Sequence, residues 1–204
     1  MKAPRTYLVL ALVCLAAALV LTGYNLYDAR RAGLEAARHL AALQAVSGQA
    51  LNRRAAGGQA GLDPGQAHEG MPTVQVDGRP YIGEIIIEAY GLHLPVMADL
   101  SSENLRMAPC LYRGALPDNH PVIAGHNYTS HFGPLLTLST GSRVLFTDTL
   151  GRTYTYRVAK RETLADTALA DLLDSRPTDL TLVTCTLSGY TRCVLRCELV
   201  DGGR

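Results

Sequence analysis

The chain holds 204 residues, 48% of them hydrophobic, with 19 basic against 18 acidic side chains for a formal charge of +1. Charge is unevenly spread: residues 1–56 carry 7 of the basic and 2 of the acidic groups, leaving 12 against 16 in the remainder. That mildly acidic bulk offers no basic footprint, which excludes a nucleic-acid partner, while the basic end suits an anionic membrane surface.

In chain order, the first element is the uncharged run "YLVLALVCLAAALVLTG", Tyr7 to Gly23, flanked by Lys2 and Arg5 before it and Tyr24 and Tyr27 after it. With its flanking Tyr residues counted, it is about the ~20 residues that a bilayer-spanning helix needs. Residues 1–27 therefore read as a single-pass anchor; the competing reading, a cleavable signal peptide, lacks a small-x-small site after the apolar run. Lys2 and Arg5 favour a cytoplasmic N-terminus with the rest of the chain outside, and Arg30 and Arg31 oppose that orientation. Residues 28–56 are rich in helix formers, with Ala36, Leu40, Leu43, Ser47 and Leu51 on one face. Such a stalk either docks on the following domain or is a solvated spacer. Gly and Pro without periodicity mark 57–72 as a flexible linker, leaving 73–204 as one globular domain able to bury its own core.

Within that domain "YIGEIIIEA", "LHLPVM", "PVIAG", "SRVLFTD", "RTYTYRVA", "LTLVTC" and "RCVLRCEL" are β-rich runs bounded by turn residues. A helix is expected over Asp166–Ser175, with Asp166 as N-cap and Pro177 beyond its end, and a shorter one between Ser102 and Met107. The pattern predicts a mostly β barrel or sandwich with a few short helices on its connections.

Of five cysteines, Cys14 falls in the span, and Cys193 and Cys197 share one strand face about 13 Å apart at ~3.3 Å per residue, too far to bridge. No zinc-ligand spacing occurs, and Cys110, Cys193 and Cys197 read as small buried hydrophobes. Cys185 differs in ending its strand, where a scaffold presents reactive groups. A thiolate nucleophile needs a proton partner. His39 and His68 lie in the stalk and linker, and His93 alternates within a strand. His126, after the apolar strand "PVIAG", stands at a strand terminus as Cys185 does, whereas His120 and His131 read as exposed or structurally hydrogen-bonded loop residues. Arg192 opens the next strand, and only six residues separate it from Cys185 across a tight hairpin. Its guanidinium suits the oxygen that becomes negative when a thiolate attacks a carbonyl.

At these residues the sequence resembles the sortases, membrane-anchored cysteine transpeptidases of Gram-positive surfaces. "TLVTC", Thr181 to Cys185, is similar to their Thr-Leu-Xaa-Thr-Cys motif, and Arg192 and the His126 of "VIAGHN" fall in the family's order. The likeness also takes in Tyr81 to Met97 and His131 to Val158, nearly the whole domain from about Gly78. "GRPYIGEIIIE", "LHLPVM" and "AGHNYTSHFGPL" lean toward the class B type, from which the short loop "TLSGYT" departs.

The resemblance implies a sortase-type eight-stranded β-barrel in which Cys185 attacks the Thr carbonyl of a C-terminal sorting signal. His126 then acts as proton donor and acceptor, Arg192 holds the oxyanion, and Thr184 and Asn127 assist in binding substrate. It implies as partners surface proteins bearing such signals, and an amine acceptor from a peptidoglycan cross-bridge or a pilin lysine. Location follows as the plasma membrane, with the catalytic domain extracellular. No cofactor is expected: Glu84, Glu88, Asp99 and Glu103 are dispersed and form no Ca²⁺ loop. A secreted cysteine peptidase that hydrolyses its thioester, and a non-catalytic surface module, are the rival readings.

Overall fold

The β-branched and aromatic runs form strands as their alternation requires, and the strands close on themselves. The computed structural model describes residues 3–55, 70–115, 120–168, 172 and 179–202. One helix, α1 (Ala3–Ala55), leads into nine strands. These are β1 (Val74–Val76), β2 (Arg79–Ile87), β3 (Leu92–Met97), β4 (Cys110–Arg113), β5 (Val122–Gly125), β6 (Arg143–Asp148), β7 (Thr153–Ala165), β8 (Leu180–Cys185) and β9 (Thr191–Gly202). A short helix α2 (Ser102–Met107) sits between β3 and β4. Its Ser101 N-cap accepts from the Asn104 backbone N–H at 3.0 Å, which satisfies one of the donors a helix start leaves free.

Neighbours in the sheet run β1-β2-β3-β4-β5-β8-β9-β7-β6, and β6 returns to pair with β2 from Gly83↔Asp148 to Ile87↔Val144. Eight strands thus form a closed barrel, with β1 a short flap on the other half of β2. Closure removes the sheet edges. Most pairs are antiparallel, but β5 and β8 run parallel, Val122↔Thr181 through Gly125↔Thr184. Both strands therefore point their C-terminal ends at the same rim.

Alternate side chains of each strand fill the interior. Ile85, Ile87, Ile123, Phe146, Tyr156, Leu180, Leu182, Cys193, Leu195 and Cys197 belong to one buried cluster. The intervening residues of β5, β8 and β9, Val122, Val183 and Val194, form a separate buried cluster on the outer face, against Ala124, Leu164 and Leu172. Covered on both faces, β8 is buried continuously from Leu180 to Thr184 rather than on alternate residues.

The apolar N-terminal helix and the helix-forming stretch after it form one continuous rod. Its first half leaves the large apolar side chains between Tyr7 and Tyr27 exposed, while Ala32, Ala36, Leu43 and Ala50 are buried. Leu43 packs with Val74, Val76, Tyr81 and Met97. Gln44 donates to the Glu84 carboxylate at 2.9 Å. The expected linker lies, apart from residues 70–72, outside the described residues. So does most of the helix expected over Asp166–Ser175, of which Asp166, Thr167, Ala168 and the helical Leu172 are described.

Candidate active site

Three neighbouring strands bring the three sequence candidates together. Cys185 and Arg192 are direct cross-strand partners at the end of β8 and the start of β9. On the other side of β8, the parallel register with β5 ends at Gly125↔Thr184, so the next step aligns His126 with Cys185. Adjacent strands lie about 4.8 Å apart, and residues in register share a face. Cys185 and Arg192 continue the outward rows of Val183 and Val194, and His126 continues that of Ala124. The three residues therefore stand side by side at one rim, with Cys185 in the middle.

Beneath them runs a cleft of about 310 Å³, walled by Leu100, Tyr112, Leu164, Leu172, Val183 and Val194, with Cys185 and Arg192 at its mouth. Its mostly apolar walls, with Asp166, Thr184, Cys185 and Arg192 as polar lining, suit an extended, mostly uncharged peptide. Arg192 is held by the hairpin loop, one terminal nitrogen donating to the Gly189 carbonyl at 2.8 Å and the Thr191 carbonyl at 3.1 Å. The loop itself is closed by the Thr186–Thr191 hydroxyl contact at 2.7 Å.

His126 opens a compact turn. Phe132 N–H donates to the His126 carbonyl at 3.0 Å, and the Tyr128 carbonyl accepts from His131 and Gly133 at 3.0 and 2.9 Å. The imidazole lies flat on the Tyr128 ring, centroids 4.2 Å apart and planes 8° from parallel. Asn127 links the segments after β5 and β8: its amide oxygen is 3.4 Å from His126 Nδ1 and its amide nitrogen 3.4 Å from the Thr186 carbonyl. Thr184 alternates to the barrel interior, its hydroxyl buried without a partner among the described residues, so its side chain is turned away from the face that carries Cys185.

His131 is not an exposed loop residue. It is fully buried, and burial pushes its imidazole down to about 4, the Ala32 backbone raising it and the neighbouring His126 lowering it further. His120 has positive φ, +41°, and stands apart from the cleft walls. Burial raises the thiols of Cys110 and Cys197 to about 12 and shifts that of Cys193 upward. Each therefore stays an uncharged thiol, and Cys185 is the half-exposed one. Among the described residues no three His, Cys, Asp or Glu side chains gather as metal ligands. Glu84, Glu88 and Glu103 are engaged by His93, Arg143 and Arg79. Sequence reasoning missed Tyr128, although "HNY" puts an aromatic two residues from the histidine, and it missed the cleft walls, which come from strands remote in sequence.

A family model described as "Sortase domain" matches residues 85–200. Among solved structures, a sortase A of Listeria monocytogenes is 23% identical, covers 60% of this chain and 89% of its own, and superposes with TM-score 0.55. A lid mutant of sortase A from Corynebacterium diphtheriae is 26% identical over 60% and 72% of the two chains, TM-score 0.52. Sortase C1 of Streptococcus agalactiae is 26% identical over 66% and 74%, TM-score 0.56. No curated protein matches the chain. The structures named are of types A and C, so the class B leaning rests on the sequence segments alone.

Proposed function

This chain belongs to the sortase family, and from that premise we propose that it is a membrane-anchored cysteine transpeptidase with Cys185 as nucleophile, His126 as proton-transfer group and Arg192 as oxyanion donor. The observation that carries the assignment is the register: three adjacent strands deliver the three residues to one rim. In this reading the Cys185 thiolate attacks the carbonyl carbon of the Thr in a C-terminal sorting signal, and the negative charge moves to the carbonyl oxygen. One terminal nitrogen of Arg192 is engaged with loop carbonyls, which leaves donors of its fork for that oxygen. The C–N bond breaks, His126 gives its proton to the leaving amine, and a thioester remains. An incoming amine, from a cell-wall cross-bridge or a pilin lysine, loses a proton to His126, forms the new amide and expels the thiolate.

Asn127 fits a substrate-side role because its amide lies between the His126 ring and the Thr186 carbonyl that follows Cys185. For Thr184, burial of the hydroxyl leaves only its backbone to serve. The helix Ala3–Ala55 is long and apolar enough to cross a membrane, which supports a single-pass anchor; the extracellular placement of the barrel rests on Lys2 and Arg5 before the span. The class B type remains a proposal carried by "GRPYIGEIIIE", "LHLPVM" and "AGHNYTSHFGPL".

The test uses the full chain in detergent micelles with a panel of Leu-Pro-Xaa-Thr-Gly-like and Asn-Pro-Xaa-Thr-Asn-like peptides, with and without amine acceptors, followed by intact mass. A thioester on Cys185 that an amine resolves into ligated peptide is the expected result. Hydrolysis that ignores every amine would favour the peptidase reading, and no adduct with any peptide would favour a non-catalytic module.

A further inference from the structure

Beyond the cysteine, histidine and arginine, one contact has no part in the chemistry so far. The Tyr128 ring that lies flat on His126 donates from its hydroxyl to Asp28 Oδ2 of α1 at 2.6 Å. Two further contacts seat the same turn of the helix on the same loop. Ser130 Oγ donates to the Ala29 carbonyl at 2.8 Å, and Gly33 approaches so closely that a Cβ there would come within 2.9 Å of the Ser130 Cβ. His131, packed edge-on to Tyr128 at 5.5 Å, is buried under this seam. The helix turn just beyond the apolar span therefore touches the catalytic-histidine loop at successive points.

We propose that Tyr128 is a positioning residue for His126, and that Asp28 of α1 acts through it, so that the imidazole is aligned on Cys185 only while the membrane-emergent helix is docked. The proposal rests on the assignment of His126 as the proton-transfer group. A histidine just past a strand end has two free side-chain torsions, yet it must reach both the thiol and the leaving amine at hydrogen-bond distance. A parallel ring at 4.2 Å restricts its tilt, and the Asp28 hydrogen bond restricts the ring. The groups facing Tyr128 are Asp28 and Tyr24 of α1, Arg106 of α2, and His126 and His131 of its own loop. Burial and then the Asp28 bond push the phenol up to about 12, so it stays a donor.

The experiment uses the full chain in micelles, with two readouts. Histidine-ring NMR, with the His126 signal identified by its loss in His126→Ala, reports the ring-current shift of the stack without reference to activity. Single-turnover acylation and steady-state transfer separate kcat from KM. Tyr128→Ala is expected to abolish the ring-current shift and lower kcat about 10- to 100-fold with KM within about twofold, the cost of misplacing a catalytic group by about an ångström. Tyr128→Phe keeps the ring but loses the Asp28 bond, and is expected to recover only part of the loss. Asp28→Ala reproduces Tyr128→Phe, and the double variant is no worse than either single one, since both break one bond. Gly33→Val, which crowds Ser130 without touching the stack, is expected to move the His126 signal the same way.

A folded Tyr128→Ala chain, checked by thermal melting, with unchanged kcat and an unmoved His126 signal would overturn the proposal. Additive losses in the double variant would overturn the link to α1. If the wild-type chain transfers no acyl group at all, the sortase reading falls, while the ring signal still decides whether α1 holds the imidazole.

Discussion

Arg192 illustrates why a charge on an apparently ordinary strand matters. One terminal nitrogen is held by the Gly189 and Thr191 carbonyls, and the residue lines the cleft together with Cys185. Arg192→Ala is expected to lower acylation at least about 10²-fold, as for loss of an oxyanion donor. Arg192→Lys should rescue little, because a point ammonium lacks the planar fork. The remaining thiols make a contrast: with Cys110, Cys193 and Cys197 buried, a thiol reagent at neutral pH should modify Cys185 first among the cysteines of the barrel, read by peptide mapping. His131 gives a prediction about stability. Its folded-state value near 4 lies below the ordinary 6.5, so the unfolded chain binds the extra proton and stability falls as pH drops from 6.5 towards 4. At about 1.4 kcal/mol per pH unit the full loss is about 3 kcal/mol. Denaturation midpoints of His131→Gln should show a shallower slope across that window than wild type.

The strand ends depend on their close contacts. At the end of β5, a Cβ on Gly125 would meet the buried Phe132 ring at 2.5 Å, and Phe132 N–H bonds the His126 carbonyl. Gly125→Ala should therefore disturb the histidine turn, lowering both melting temperature and kcat. The strands that carry the site were legible in the sequence because β5, β8 and β9 combine β-branched runs with abrupt polar ends. The short helix expected between Ser102 and Met107 is present over those residues, capped by Ser101. β4 was not: it has four residues, joins β3 through the single pair Met97↔Cys110, and slips register against β5, so its strand character comes from its neighbours. β1, three residues long, depends likewise on β2. In α1 the expected stripe ended on Leu51, which keeps over a third of its surface exposed, while Ala50 is buried. At about 100° per residue the buried set Ala36, Leu43 and Ala50 drifts backwards by roughly 20° each heptad, and Leu51 rotates off the seam. The Tyr128 stack was out of reach because its anchor, Asp28, lies 100 residues away.

Barrel and helix behave as one object. Ala36 is nearly inaccessible within the main core cluster, so Ala36→Asp would put an unpaired carboxylate into an apolar seam and release the helix. Tryptic cleavage at Arg31 and Arg38 should then accelerate over wild type. Leu43→Ala, which empties part of the seam beside Tyr81 and Met97, should cost about 2–4 kcal/mol. The continuity of α1 also sets a geometry for encounters. With residues 7–23 in the bilayer, as proposed, Asp28 follows after a rise of only about 8 Å at 1.5 Å per residue. The histidine loop seated on it then rides at a constant height above the lipid, and a membrane-borne substrate finds the thiol by searching a plane rather than a volume. Its effective concentration is an areal density. In reconstituted vesicles, diluting the suspension should leave the transfer rate untouched, whereas adding lipid to spread enzyme and substrate over more surface should slow it.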